Sequence, residues 1–325
     1  MGVKPIKLSK IVEDRNAELA FQYQQLAAGE EVDLGFISTG IPELDTAGLL
    51  ERGILTGFAA HPGDGKSAVA THLLRAAALA GFNPIGFFFE DPGKFLSDRL
   101  TSQELNESAF HLRRLDIKDT NIARRLAAAT ERVNDWAEHV EIIDEMLPTG
   151  ELIDYLNSTA TEDTGLVVVD YAQAFDSEAD EKSVERVIAR LAWGLNQTAK
   201  HKNIATVLFN QVKREVQERG HRRLENFRFK NGRDPTETDL EAVEGYRPLG
   251  TNDAQWSTAI GQRCKQWVDI FRPGNWLRTH GVNAKDDRMD FTIQKGNYGP
   301  AKGGISCHWD GPTARISSLG KRRAK

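Results

Sequence analysis

Residues 54–67, Ile-Leu-Thr-Gly-Phe-Ala-Ala-His-Pro-Gly-Asp-Gly-Lys-Ser, constrain this chain more than any other stretch. The apolar run 54–60 predicts a strand and the alanine-rich run 68–80 a helix, with a loop between them that ends Gly65-Lys66-Ser67. Strand, glycine-bearing loop and helix in that order make a P-loop, a cradle for a nucleoside triphosphate. Gly63 and Gly65 let successive backbone N–H groups curl around phosphate oxygens, and the helix N-terminus adds partial positive charge. The expected ATP-binding set is Ala60, His61, Pro62, Gly63, Asp64, Gly65, Lys66 and Ser67. Lys66 would reach the β and γ phosphates, and the Ser67 hydroxyl would sit on Mg2+. The general pattern G-x-x-x-x-G-K-[ST] begins with glycine where this chain has Ala60, so the loop is a variant.

Bulk properties narrow the surroundings. The chain has 325 residues, 40% hydrophobic and 27% charged, enough for one large or two ordinary domains. No apolar run approaches the roughly 20 residues of a membrane helix, and the opening 1–7 has no apolar signal core. The expected compartment is the cytoplasm, with no membrane partner. Two cysteines, Cys264 and Cys307, are too few for a disulfide framework or a zinc site. A net charge of −5 excludes a surface that coats nucleic acid as a whole, so any such contact must be a local basic feature.

Along the chain, residues 1–34 read as a linker helix, favoured over 11–28 and stopped by Gly29. It either folds back on its own domain or docks on a neighbouring subunit. From residue 35 to 319 strands and helices alternate: strands over 54–60, 83–90, 139–144, 165–170 and 205–210, helices near 67–81, 94–105, 119–138, 149–159 and 182–202. Continuous apolar strands with helical crossovers predict an α/β fold, a mostly parallel sheet with helices on both faces. The later runs 266–271, 288–295 and 303–309 alternate more, which predicts antiparallel C-terminal edge strands. The charged, weakly periodic stretch 212–255 reads as a long loop, functional or disordered. A basic tail, 320–325, closes the chain.

Three side chains at strand ends carry candidate chemistry, because ligands of open α/β sheets lie beyond the carboxyl ends of the strands. Asp170 ends the run Leu166-Val167-Val168-Val169 and is the expected partner of Ser67 for Mg2+, as against a mere turn cap. Glu90 follows Phe87-Phe88-Phe89 and is the expected general base, with Asp91 next in line. Gln211 follows Val207-Leu208-Phe209-Asn210 and could read the γ-phosphate. Beyond it Lys213, Arg214, Arg219, Arg222, Arg223, Arg228, Lys230 and Arg233 cluster, with His221, Phe227 and Phe229 interleaved. The first five are the candidate DNA-binding set, and the rings offer faces on which bases stack. A solvated charged insertion is the alternative. The acidic run 176–181 would repel DNA if it lay beside this basic stretch.

Taken together the motifs resemble the RecA-like motor domain of DnaB-type replicative helicases. Thr39-Gly40 through Leu44-Asp45 is similar to that family's T-G-x-x-x-L-D element, and Ala60 and Pro62 to its P-loop. Asp170-Tyr171-Ala172-Gln173 resembles its D-Y-x-Q signature, Asn210-Gln211-Val212-Lys213-Arg214 its S-Q-x-x-R strand end, and Glu90 its catalytic glutamate. Lys295-Gly296-Asn297-Tyr298-Gly299-Pro300 resembles the K-x-R-x-G-P hairpin, which reaches a neighbour's nucleotide. The resemblance implies ATP and Mg2+, a homo-oligomer with a hexameric ring expected, and single-stranded DNA gripped by the basic stretch in a central channel. It also implies primase, loader or polymerase partners, and a phage or mobile element as source. Lys66, Glu90 and Gln211 would act in cis and Lys295 in trans. The chain departs from the family at Asn297, where the family has an arginine that stabilises transition-state charge. Arg263, Arg272 or Arg278 could substitute. Two further readings stay open: a RecA- or RadA-like recombination ATPase, and a non-motor regulatory or loading ATPase.

Overall fold

A computed structural model describes residues 6–30, 32–90, 92–115, 117–172, 184–255, 260–296 and 303–319. Asp91, Gln173, the acidic run 176–181, Asn297 with the hairpin tip, and the tail 320–325 lie outside the described residues. Contacts divide the chain into a short unit, Met1–Phe36, and a large one, Ile37–Lys325.

In the short unit, α1 (Leu8–Ala27) buries none of its residues. Gly29 takes a left-handed φ of 75°. The backbone N–H of Glu30 then bonds back to the Gln25 carbonyl at 3.0 Å, closing the helix as glycine after a C-terminus does.

In the large unit, α2 (Pro42–Thr46) precedes β1 (Leu55–Ala60), α3 (Lys66–Leu79), β2 (Ile85–Phe88), α4 (Gly93–Leu105), α5 (Ala109–Arg114) and α6 (Ile122–Ala137). Then come β3 (Glu141–Ile143), α7 (Thr149–Thr159), β4 (Leu166–Asp170), α8 (Val184–Lys202), β5 (Ala205–Gln211) and α9 (Arg214–Asn231). The series ends with β6 (Gln266–Phe271), α10 (Pro273–Thr279), β7 (Arg288–Lys295), β8 (Gly303–Asp310) and β9 (Arg315–Ser318). The described strands form one sheet in the order β3-β2-β4-β5-β1-β6-β7-β8-β9. Leu55 and Ala59 of β1, Val167 and Val169 of β4, and Leu208 of β5 face α7 and α8. Phe58, Leu166, Val168, Val207 and Phe209 face α3. Alternate residues therefore go to two buried faces, which is why these strands read as unbroken apolar runs. No described helix is long and apolar enough to cross a membrane. Cys264 and Cys307 are both buried free thiols.

Two expectations need correcting. The run 266–271 is not a wholly antiparallel strand: β6 pairs with β1 in parallel, and antiparallel pairing begins between β6 and β7 and continues through β8 to β9. Long crossovers permit parallel pairing, and more than fifty residues separate β5 from β6. Nor is 212–255 a loop. It opens with the helix α9, which buries Val216, Gly220, Leu224 and Phe227. Three of those four positions are apolar, but the second is a glycine, so the helical stripe is broken in the sequence. Val243, Tyr246, Phe271, Leu277 and Ala284 form a small separate core beside it.

Candidate nucleotide site

The glycine loop takes the geometry its residues allow. Gly63 and Gly65 hold φ of 82° and 93°, values that L side chains rarely adopt. A Cβ on Gly65 would also stand 2.9 Å from Met289 Cε. α3 begins at Lys66, so its first N–H groups point back into the loop. Ala60 is paired with Gln211, and Phe88 with Asp170, in the parallel registers of the sheet. The order β2-β4-β5-β1 therefore lays Glu90, Asp170, Gln211 and Lys66 along one carboxyl edge.

A cavity of about 310 Å³ opens there, lined by Gly63, Gly65, Lys66, Ser67, Glu90 and Gln211 among others. Glu90 is exposed just beyond β2, while Asp170 is only 2% exposed at the end of β4. Lys66 is almost fully buried, its Nζ 5.4 Å from the centre of the Tyr171 ring. Ser67 Oγ and the Asp170 carboxylate are hard oxygen donors, and Mg2+ typically takes one or two such groups plus phosphate oxygens and water. The residues present thus fit Mg-nucleotide, and among those described no cluster of three or more His, Cys, Asp or Glu offers a closed metal cage.

Two residues of the P-loop turn away from the cavity. His61 Nε2 donates to the Tyr246 carbonyl at 2.6 Å. Burial lowers the His61 pKa to about 4, so the ring is neutral and adds no cationic charge to the loop. Its Nδ1 is buried without a hydrogen-bond partner. Asp64 is fully buried and accepts from Asn275 Nδ2 at 3.1 Å and Trp276 Nε1 at 3.3 Å. Burial raises its carboxyl to about 7, and the two hydrogen bonds and Arg272 oppose that shift only in part.

Arg272 and Arg99 also line the cavity. Arg272 Nη1 donates to the Gly63 carbonyl at 2.7 Å. Its guanidinium lies 4.4 Å from the Trp309 ring and pairs with Asp286. Arg99 Nη1 donates to Thr71 Oγ1 at 3.3 Å. No motif marks Arg99, and the family resemblance offers Arg272 only as a substitute for the arginine that acts on a neighbour. Here it braces the P-loop of its own chain. Arg278 is half-exposed and shares Asp286, and Arg263 is exposed. Lys295 Nζ donates to the carbonyls of Cys264 at 2.7 Å and Gly261 at 3.0 Å.

The basic set splits in two. Lys213 Nζ bonds to the Asn252 carbonyl at 2.9 Å, and Arg214 is exposed at the start of α9. Arg219, Arg222 and Arg223 border a second cavity of about 540 Å³ together with Lys230, Asn226 and Glu241. Arg219 is also structural: it pairs with Asp253 at 2.9 Å and donates to the carbonyls of Gly245 and Arg247.

A glycine loop between β1 and α3, with β5 set between the P-loop strand and the strand ending in Asp170, defines a RecA-like P-loop ATPase core. The chain belongs to the DnaB-like helicase C-terminal domain family, whose sequence model matches residues 36–230. The replicative DNA helicase DnaB of Leifsonia xyli subsp. xyli (strain CTCB07) is 26% identical over 186 residues, which are 56% of this chain and 40% of that protein. The chain thus spans less than half the length of this curated relative. A DnaB-like replicative helicase, described with its interactions with primase, superposes with a TM-score of 0.72 at 16% identity, covering 94% of this chain and 66% of the other. The ATPase domain of G40P gives 0.72 at 17% identity, covering 94% and 98%. The RadB recombinase gives 0.52 at 15% identity, covering 87% and 100%. At these identities the likeness is one of fold.

Proposed function

We propose that the chain is an ATP-driven DNA helicase motor that assembles into a ring, with six subunits expected, and moves along single-stranded DNA during replication. The observation that carries this reading is the convergence of Lys66, Ser67, Glu90 and Gln211 on one cavity in a chain of this family. Lys66 neutralises charge on the β and γ phosphates, and Glu90 takes the proton of the attacking water. Gln211 stands at the root of α9 and passes the γ-phosphate state to it. Ser67 and Asp170 would hold Mg2+, which would offset charge developing on the phosphates. Lys213, Arg214, Arg219, Arg222 and Arg223 hold the phosphates of the DNA strand. Residues 35–319 act as the motor, 1–34 as a linker helix to a neighbouring subunit and 320–325 as a basic tail, all in the cytoplasm. A primase partner is supported by the structural likeness to a DnaB-like replicative helicase that interacts with primase. A loader or polymerase would meet the same ring.

Lys295 would act on the neighbouring subunit's nucleotide, and to do so it must release the carbonyls of Gly261 and Cys264. That requirement favours, as second reading, a slow regulatory or loading ATPase. Steady-state ATP hydrolysis with and without single-stranded DNA, on wild type and Glu90→Gln, separates the two. The motor reading expects strong DNA stimulation and a loss of roughly 10²–10⁴-fold in turnover without its general base. Turnover indifferent to DNA, or unchanged in Glu90→Gln, overturns it.

A further inference from the structure

The P-loop has a second face, directed at Tyr246. This residue is fully buried on a short 3-10 turn, Glu244–Tyr246, and touches three elements at once. Its carbonyl accepts from His61 in the P-loop at 2.6 Å. Its ring stacks on Trp276 of α10 at 4.2 Å and 15°, and Trp276 Nε1 donates to Asp64 of the same loop. Its hydroxyl lies 2.7 Å from His221 Nδ1 on α9 and 2.8 Å from His280 Nε2 just past α10.

The directions of these bonds follow from their ends. His280 Nδ1 faces the Trp276 carbonyl at 2.8 Å and so carries the proton of a singly protonated ring. Nε2 is then left to accept the Tyr246 O–H, and the phenol oxygen accepts in turn from His221 Nδ1–H. The result is a polarised chain, His221 to Tyr246 to His280, with every member satisfied. Burial keeps the phenol protonated by pushing its pKa up to about 12.

α9 reaches this chain at closest approach. Gly220 lies against the Tyr246 ring, where a Cβ would stand 2.2 Å from Cδ1, and a Cβ on Gly245 would stand 2.8 Å from the Gly220 Cα. On another face of α9, Arg219, Arg222, Arg223, Asn226 and Lys230 recur at helical spacing around the 540 Å³ cavity. Arg219 and Arg223 also hold the Tyr246 turn and its approach, through the carbonyls of Gly245, Arg247 and Glu241. An anion drawn to that face displaces the helix that carries His221, and the hydroxyl chain passes the shift through Tyr246 to its turn and to Trp276, both of which are bonded to the P-loop.

We propose that Tyr246 is a positioning residue that couples the cationic face of α9 to the P-loop, so that a phosphodiester strand bound to α9 changes nucleotide affinity. This rests on the reading that α9 binds single-stranded DNA. Such coupling is reciprocal and typically 5–150-fold. The test titrates a fluorescent, non-hydrolysable ATP analogue into the full chain with and without a saturating thymidine oligonucleotide. Wild type, Tyr246→Phe and His221→Ala are compared, the last an exposed side chain whose loss cuts the same chain from the α9 end. Wild type is expected to show an affinity ratio of about fivefold or more. Both variants are expected to bring the ratio to within about twofold of one, with DNA-free affinity kept, since the Trp276 stack and the His61 bond remain. A merely structural role would lower stability and leave the ratio alone. A wild type that binds no DNA refutes the DNA reading itself. A wild type that couples while either variant keeps its full ratio overturns the role of Tyr246.

Discussion

Replacing Gly220 by alanine reverses the usual sign of a helix substitution. In a helix interior alanine is favoured over glycine by about 0.5–1 kcal/mol. At Gly220 the added methyl would meet Cδ1, Cε1 and Cγ of Tyr246 at 2.2 to 2.4 Å, where ordinary carbon contacts need about 3.5 Å. The ring must withdraw by about an ångström, but it is stacked on Trp276 at 4.2 Å and its hydroxyl is bonded on two sides. Overpacking of this kind costs about 1–3 kcal/mol, and each lost hydroxyl bond about 1 kcal/mol more. Gly220→Ala is therefore expected to destabilise the fold by about 2–4 kcal/mol after the propensity gain. Gly150→Ala is the control, since a Cβ at this position in α7 meets nothing within 4 Å. It should stabilise by up to about 1 kcal/mol. Urea denaturation of both, read as midpoint shifts at constant slope, gives the comparison. In a Tyr246→Ala background the Gly220→Ala effect should shrink toward the control, the non-additivity expected of touching residues. A Gly220→Ala protein as stable as wild type, or more so, would refute the argument.

Arg272→Ala should both destabilise the protein and weaken nucleotide binding, because Asp286 is nearly inaccessible and the Gly63 carbonyl loses its donor. Breaking a buried pair outright costs about 3–5 kcal/mol; Arg278 still pairs with Asp286, so the loss should fall below that range, and Arg272→Lys should restore little of it, since an ammonium cannot bond in two directions as the fork does while lying over Trp309. A lysine variant with wild-type nucleotide affinity would speak against this. Asp64 predicts a pH dependence. Its folded pKa, raised to about 7 from 3.8, means that the native protein keeps a proton the unfolded chain has released. That stabilisation is complete below about pH 4 and is lost as pH rises through 7. His61, lowered to about 4 from 6.5, acts oppositely: stability falls as pH drops from 6.5 toward 4. Melting temperatures between pH 5 and 8 should therefore fall for wild type relative to Asp64→Asn as pH rises, and parallel curves would exclude the carboxyl as their source.

The P-loop and the strands around it were legible in the sequence because sheet and loop chemistry are local. Leu166 to Val169 must be buried on both sides to be apolar without a break, and glycines bracket Asp64 where the chain turns. What stayed hidden depends on partners far along the chain. His61 meets Tyr246 across 185 residues, and Asp64 meets Asn275 and Trp276 across more than 200. α9 was hidden for another reason. Its buried stripe includes a glycine, placed there by a tyrosine from another segment, and most of its remaining positions are charged. The direction of β6 depends on the length of the preceding connection, which alternation does not report. β9 is four residues long and follows a tight turn at Ala314, too short a run to stand out.

The two margins of the sheet have a consequence for how copies of this protein meet. One edge strand, β3, has three residues and the other, β9, four, whereas the interior strands β5 and β7 have seven and eight. An exposed strand edge is a template on which another chain can extend the ladder, and shortening it removes most of that template. At high concentration, contacts between these described edges can therefore contribute few main-chain hydrogen bonds. Self-association that is orderly must be written in side chains, on helices and loops, where a single substitution can change which surfaces recognise each other.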